Sequence, residues 1–222
     1  QQAIKINPNY APAYHNMGKV HEIKGELEDA IKYYKQAIKV KPNYVMAISD
    51  LSYMINFNGL LDSQERFSLV CKHMHGLEAP LALKKYHFEN LRDPDKNLHV
   101  GFVSGDFRTH PIAAYCVQLF ALLSKFPKLV LHAYYNYDTE DALTIEIKKY
   151  FSKWTTVTFI SDQMLAQKIV EDEIDILIDL SNHTAGNRLG TFAIKPAPIQ
   201  VTSLGLPYTT GLKAMDYYFG AA

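Results

Sequence analysis

The residues whose chemistry most needs explaining stand in "SGDFRTHP", Ser104 to Pro111, between a short apolar run, "LHVGFV", and a long one, "IAAYCVQLFALL". A turn at that place needs no acid, base and imidazole. Asp106, Arg108 and His110 together suit proton transfer or the positioning of an anionic group. "SNHTAGNR", Ser181 to Arg188, repeats the arrangement with His183, Thr184, Asn187 and Arg188, after Asp175 and Asp179 alternating with Ile174, Ile176 and Ile178. A plain reading stands beside the chemical one in both segments. His110 either faces a reacting group or only caps the helix that Pro111 starts, with Asp106 closing the loop by hydrogen bonds to backbone. The second segment is either part of a site or a polar loop in which Asn187 and Arg188 begin a helix. Asp179, nearest a strand end, is expected to hold a histidine or backbone amides rather than to catalyse. Asp106, His110, Asp179 and His183 carry the atoms of a metal site without a ligand spacing that marks one, so no metal is expected. Neither GxGxxG nor GxxxxGK[ST] occurs, so the glycines predict no phosphate loop.

These side chains need a rigid frame. After the polar stretch "NLRDPDKN", the β-rich runs "LHVGFVS", "LVLHAYY", "WTTVTFI", "IDILIDL" and "IQVTSLG" alternate with helical stretches near 111–125, 140–151, 162–172 and 186–194. That alternation predicts βαβ units in a doubly wound parallel sheet, where ligands bind beyond the carboxyl ends of the strands. "SGDFRTHP", "SNHTAGNR" and "GLPYTTG" follow the first, fourth and fifth runs, so the chemistry is expected there. Pro111 suits a first helical turn and pushes His110 to the extended conformation of a cap. Ile112, Tyr115, Cys116, Leu119, Phe120 and Leu123 are the face expected to bury that helix on the sheet, leaving its positive end and His110 toward the cleft.

The first part of the chain reads differently. "NPNYAPAYHNMG" is echoed by "KPNYVMAISDLS", with Pro8 and Pro42, Asn9 and Asn43, and Tyr10 and Tyr44 each 34 residues apart. That is the tetratricopeptide period. Small residues at Gly18, Ala30 and Ala37 allow two helices to approach closely, Tyr14 and Tyr34 fill the space between them, and Gly25 and Pro42 end the helices. A second unit starts at Tyr44 and degenerates through "INFNGLLDSQERFSLVCKHMHG" into helices expected to cap the array. Further copies are expected upstream of Gln1, since one repeat cannot bury its own face. His73 and His75, two apart on a helix, diverge and are read as a solvated helix end rather than metal ligands. The predicted organisation is therefore tetratricopeptide-type helices over 1–95 and a Rossmann-like α/β unit over 96–222.

Composition narrows the function classes. The chain has 23 basic and 23 acidic residues among 222, so no global field favours nucleic acid or an anionic membrane. Its longest apolar run, Ile112 to Leu123, is far short of the ~20 residues a membrane span requires. Only Cys71 and Cys116 are present, and "QQAIKINPNY" lacks the pattern of a signal peptide. A reducing, cytoplasmic setting is expected, which makes the sequon at Asn182 a chance match.

Repeats leading into "VGFVSGDFRTHP", and then "IDILIDLSNHTAGNRLGTFAIKPAPIQVTSLGLPYTTGLKAMDYYF", resemble the O-linked N-acetylglucosamine transferase family with its SPINDLY-type relatives. The resemblance covers nearly the whole chain. It implies a protein glycosyltransferase of two Rossmann-like halves, with inverting, metal-independent transfer from a nucleotide sugar such as UDP-N-acetylglucosamine or GDP-fucose to Ser or Thr, and peptide acceptors in the groove of the repeats. Only the first half is expected here, inactive alone. By position, the resemblance makes Asp106 and His110 catalytic, Thr109 and Ile112 neighbours in the substrate loop, Leu204 and Gly205 backbone that meets the donor, and His183 lining of the cleft. Asn182 stands where the family commonly has glycine, and Leu206 and Tyr208 where it reads Tyr and Gly, which bears on loop shape and sugar choice. The competing expectation is a non-catalytic scaffold that binds peptides through its repeats.

Overall fold

The computed structural model describes residues 2–57, 61–81, 86–90 and 93–220. Leu91 and Arg92 of the expected linker, and positions 58–60 of the degenerate repeat, lie outside the described residues. The chain divides into two compact units, Gln1–Leu81 with Thr210–Leu212, and Ala82–Thr209 with Lys213–Ala222. The second thus starts ahead of the expected division at 95/96. Asn90 explains why: its side-chain amide donates to Glu173 O at 3.0 Å and to Asp175 Oδ1 at 2.7 Å, which ties the segment to the sheet unit.

The first unit is helical: α1 (Gln2–Ile6), α2 (Ala11–Ile23), α3 (Leu27–Val40), α4 (Val45–Asn56) and α5 (Ser63–Leu81). From α2 onward each packs on the next. A Cβ on Gly18 would lie 2.4 Å from the Tyr34 ring, so the glycine is what lets α2 close on α3. Ala30, Tyr34 and Ala37 are fully buried on that face. Tyr34 Oη donates to Glu22, and His15 Nε2 meets Asp50 Oδ2 at 2.7 Å, so these buried groups between the helices are paired. His73 and His75 lie well inside α5 rather than at its end. The helix runs through Gly76, because glycine costs only about 1 kcal/mol there and buried Val70, Met74 and Leu77 flank it.

The second unit is a six-stranded parallel sheet in the order β3-β2-β1-β4-β5-β6. Its elements are β1 (Leu98–Ser104), α6 (Pro111–Leu123), β2 (Leu129–Tyr135), α7 (Ala142–Lys148), β3 (Lys153–Thr156), α8 (Asp162–Glu171), β4 (Ile176–Asp179), α9 (Leu189–Ala193), β5 (Ile199–Ser203) and β6 (Tyr217–Phe219). This is the doubly wound order, and its topological switch point falls between β1 and β4. β1 and β2 occupy their predicted runs, whereas β3 and β5 stop early. Beyond β3 the chain turns, with Ile160 N bonded to Val157 O. Beyond β5 it is broken by Leu204 at φ +62°. The edge strand β6 was not predicted, being three exposed residues long.

Helix α6 is rotated from its expected face. Ala113, Cys116 and Phe120 are buried, with Ile112, Val117 and Leu123 packed beside them, while Tyr115 is 75% exposed and Leu119 is also exposed. The small Ala113 and Cys116 permit close approach to the sheet, and a stripe centred on them turns Tyr115 and Leu119 outward.

Candidate active site

Three loops leave the carboxyl ends of β1, β4 and β5, and neighbouring pairs touch. Ser104 Oγ and Ser181 Oγ are 3.5 Å apart. A Cβ on Gly105 would meet Asn136 O at 3.3 Å and Gly186 O at 3.4 Å, and one on Gly205 would lie 2.5 Å from the Ser181 carbonyl carbon. Only a glycine allows the third loop to rest directly on the second.

The first loop is held from several sides. Asn136 N donates to Ser104 O at 2.8 Å, Asp106 N to Ser104 Oγ at 3.0 Å, and Thr109 N to Asp141 Oδ2 at 2.6 Å. Phe107 is fully buried against Phe120, Tyr135, Phe151 and Trp154, so the loop's middle is anchored in the core. Arg108 Nε donates to Gly105 O at 3.3 Å, and its guanidinium stacks 4.2 Å over Tyr137. Thr109 is exposed and Ile112 half-buried at the start of α6.

His110 takes the extended cap conformation, φ −153° and ψ 148°, and its Nδ1 accepts from Ile112 N at 3.3 Å. The capping reading is therefore present in the geometry. What the chemical reading would draw on is an exposed ring near a carboxylate: Nδ1 lies 3.8 Å from Asp106 Oδ2 and the histidine side chain is 36% exposed. Burial pushes the Asp106 carboxyl up, and His110 and Arg108 draw it back down. While Nδ1 accepts from Ile112, the ring proton sits on Nε2. To take a proton at Nε2, the imidazole must carry its own on Nδ1, which then faces Asp106 Oδ2 at 3.8 Å, an ion-pair separation rather than a hydrogen bond. A base at Nε2 would thus require the tautomer that gives up the cap on Ile112 N.

The second loop is built otherwise. Asp179 is fully buried and accepts from Ser181 N at 3.1 Å, Asn182 N at 3.0 Å and Thr202 Oγ1 at 2.7 Å. Burial pushes its carboxyl up to about 6 against the pull of those three donors. This is the structural use expected for Asp179, and Asp175 likewise accepts from His99 N at 2.9 Å. His183, expected to line the cleft, is 1% exposed, and beside it Thr184 N and Thr184 Oγ1 close a turn on Ser181 O. Arg188 donates to Ile160 O at 2.9 Å and pairs with Asp162 at 3.0 Å, a strut between loops rather than a site for substrate. Asn187 Oδ1 receives Leu189 N at 3.2 Å at the start of α9, as the polar-loop reading has it.

In the third loop Leu204 is exposed in the left-handed region, with Gly205 behind it against Ser181. Asn182 reaches across: its Nδ2 donates to Leu206 O at 3.3 Å and to Tyr208 O at 2.8 Å. Sequence reasoning missed the supports Asn136 and Asp141. Asp141 carried a readable signal, an acid three residues before Thr144 at a helix start, and the two form a capping box. Asn136 carried none, since its amide bonds Gly186 O, fifty residues away in the chain. Among the described residues, the group close enough to share one metal ion is His21, Glu26 and Asp29 in the helical unit. There His21 already bonds Glu26 at 2.6 Å and stacks on Tyr33. No helix among the described residues is long and apolar enough to cross a membrane.

Residues 61–221 match glycosyl transferase family 41, and residues 11–44 match the tetratricopeptide repeat. The chain is 37% identical over 134 residues to the Arabidopsis thaliana protein named "Probable UDP-N-acetylglucosamine--peptide N-acetylglucosaminyltransferase SPINDLY". That alignment covers 59% of this chain and 15% of the relative. The Hordeum vulgare protein of the same name is 39% identical over 134 residues, covering 59% of this chain and 14% of the relative. A solved mutant of the Thermobaculum terrenum O-GlcNAc transferase superposes with TM-score 0.82 at 32% identity, covering 97% of this chain and 41% of that one. The chain therefore spans about a seventh of these curated relatives and less than half of the solved protein.

Proposed function

The chain belongs to glycosyl transferase family 41, and from that premise we propose that the intact protein transfers a sugar, N-acetylglucosamine before others, from a UDP-sugar to Ser or Thr of proteins. The observation that carries the reading is the family match over 61–221 together with the position of "SGDFRTHP" at the switch point of the sheet. A serine hydroxyl is a weak nucleophile, and a base or acceptor at His110 with Asp106 behind it lowers the barrier to its attack on the anomeric carbon by a factor of about 10²–10⁴. The exposed Thr109 and the half-buried Ile112 border that group, and the backbone at Leu204 and Gly205 meets the donor. In this reading the leaving-group charge on the diphosphate is met mainly by the second Rossmann-like half that the family resemblance implies, and the 222 residues alone are expected to be inactive. Acceptor segments bind along the repeats. Transfer needs no metal, and the setting is cytoplasmic.

The test is mass spectrometry of a Ser/Thr peptide incubated with the intact protein and UDP-N-acetylglucosamine, with and without EDTA. Addition of one N-acetylhexosamine that survives EDTA supports the reading. Addition from GDP-fucose alone replaces the donor, and UDP-independent peptide binding without any transfer replaces the enzyme by a scaffold.

A further inference from the structure

Asn182 sits where a side chain is least expected. Its φ is +50°, in the left-handed region that favours glycine, and it is completely buried. A glycine would meet that backbone need at no steric cost. The asparagine instead extends its amide to two carbonyls of another loop, Leu206 O and Tyr208 O, two residues apart on either side of Pro207. Its Oδ1 is buried without a hydrogen-bond partner among the described residues, a cost that a side chain serving only its own turn would not carry. Asn182 N is fixed in turn on Asp179, and Asp179 on Thr202 of β5. A continuous chain of hydrogen bonds therefore runs from the end of β4 to the far side of the third loop, while Gly205 pins its near side against Ser181.

We infer that Asn182 is a positioning residue for the donor sugar: its amide clamps the 204–208 loop, so that the Leu204–Gly205 backbone and the Tyr208 ring present one fixed surface to the sugar ring. The inference rests on the proposed transferase reading, in which this loop meets the donor. A clamped loop discriminates between epimeric sugars because it cannot shift to accommodate a misplaced hydroxyl.

Asn182→Gly removes both bonds and suits the positive φ, so the fold should tolerate it. Asn182→Asp keeps the shape but sets a carboxylate oxygen against two carbonyls. In the intact protein, hydrogen exchange of the amides of residues 204–206, 208 and 209 should quicken by about tenfold in Asn182→Gly, the factor that losing roughly one net hydrogen bond produces, with β5 unchanged. The ratio of kcat/KM for UDP-N-acetylglucosamine over UDP-N-acetylgalactosamine should fall by about tenfold in both variants, while inhibition by UDP stays near wild type. Unchanged exchange overturns the clamp. Faster exchange with an unchanged sugar ratio overturns the discriminating role. If the wild-type protein turns over neither sugar nucleotide, the UDP-sugar reading and the discriminating role fall together, and the exchange data then show that this failure is not one of the clamp.

Discussion

Asp106 and His110 in the loop after β1, and Asp179 and His183 at the end of β4 and in the loop after it, share residue types and spacing at the carboxyl ends of neighbouring strands, yet their surroundings are opposite. In the first pair the carboxylate lies 3.7 Å from Arg108 and 3.8 Å from His110, with no closer side-chain donor among the described residues, and the histidine reaches solvent. In the second the carboxylate is surrounded by three donors and the histidine is buried. Asp-x-x-x-His is thus no chemical signature by itself. What decides is whether the acid's lone pairs are already occupied and whether the imidazole can reach a substrate.

Substitutions can break or sharpen that contrast. The largest effect is expected at Phe107, which anchors the middle of the first loop in the core. Phe107→Ala should cost about 3–5 kcal/mol and lower the melting temperature of the intact protein accordingly. Asp179→Ala strands three buried donors and should cost about 2–4 kcal/mol, whereas turnover per folded molecule should fall less than in His110→Ala. Its pH dependence adds a second readout. The Asp179 pKa is raised from 3.8 to about 6 in the fold, so its contribution is fully present below the unfolded value and is lost as pH rises through 6. The stability gap between wild type and Asp179→Ala should accordingly narrow between pH 4 and 6, by an amount of order 2 kcal/mol. Asp106→Ala makes the same chemical change in the other loop. With no donor stranded there, it should shift stability by less than about 1 kcal/mol, and a loss as large as that of Asp179→Ala would erase the distinction. The smallest effect belongs to Tyr115→Ser on the exposed face of α6, within about 0.5 kcal/mol by thermal melt.

Much of this organisation was legible. Periodicity placed β1, β2 and α6, because a buried parallel sheet writes continuous apolar runs and Pro111 marks a helix start. The 34-residue echo placed the repeat through Gly18 and Tyr34, which touch. The failures have physical causes as well. Tyr115 and Leu119 have helical spacing suited to burial, and only the tight seat of Ala113 and Cys116 turns them outward. His183 reads as a site residue, yet it is buried beside the turn on Ser181. The Asn182 clamp joins residues 24 and 26 positions apart, through backbone carbonyls that no side-chain pattern encodes.

The central claim is that the first loop carries chemistry and the second carries it in place, and His110→Ala in the intact protein tests it most directly. Turnover, UDP affinity and thermal stability should be measured on one preparation. The account predicts kcat lower by about 10²-fold or more, UDP affinity near wild type and a stability loss of about 1 kcal/mol from the missing cap. A protein destabilised by that amount but turning over at the wild-type rate would contradict it, and would leave His110 a helix cap alone.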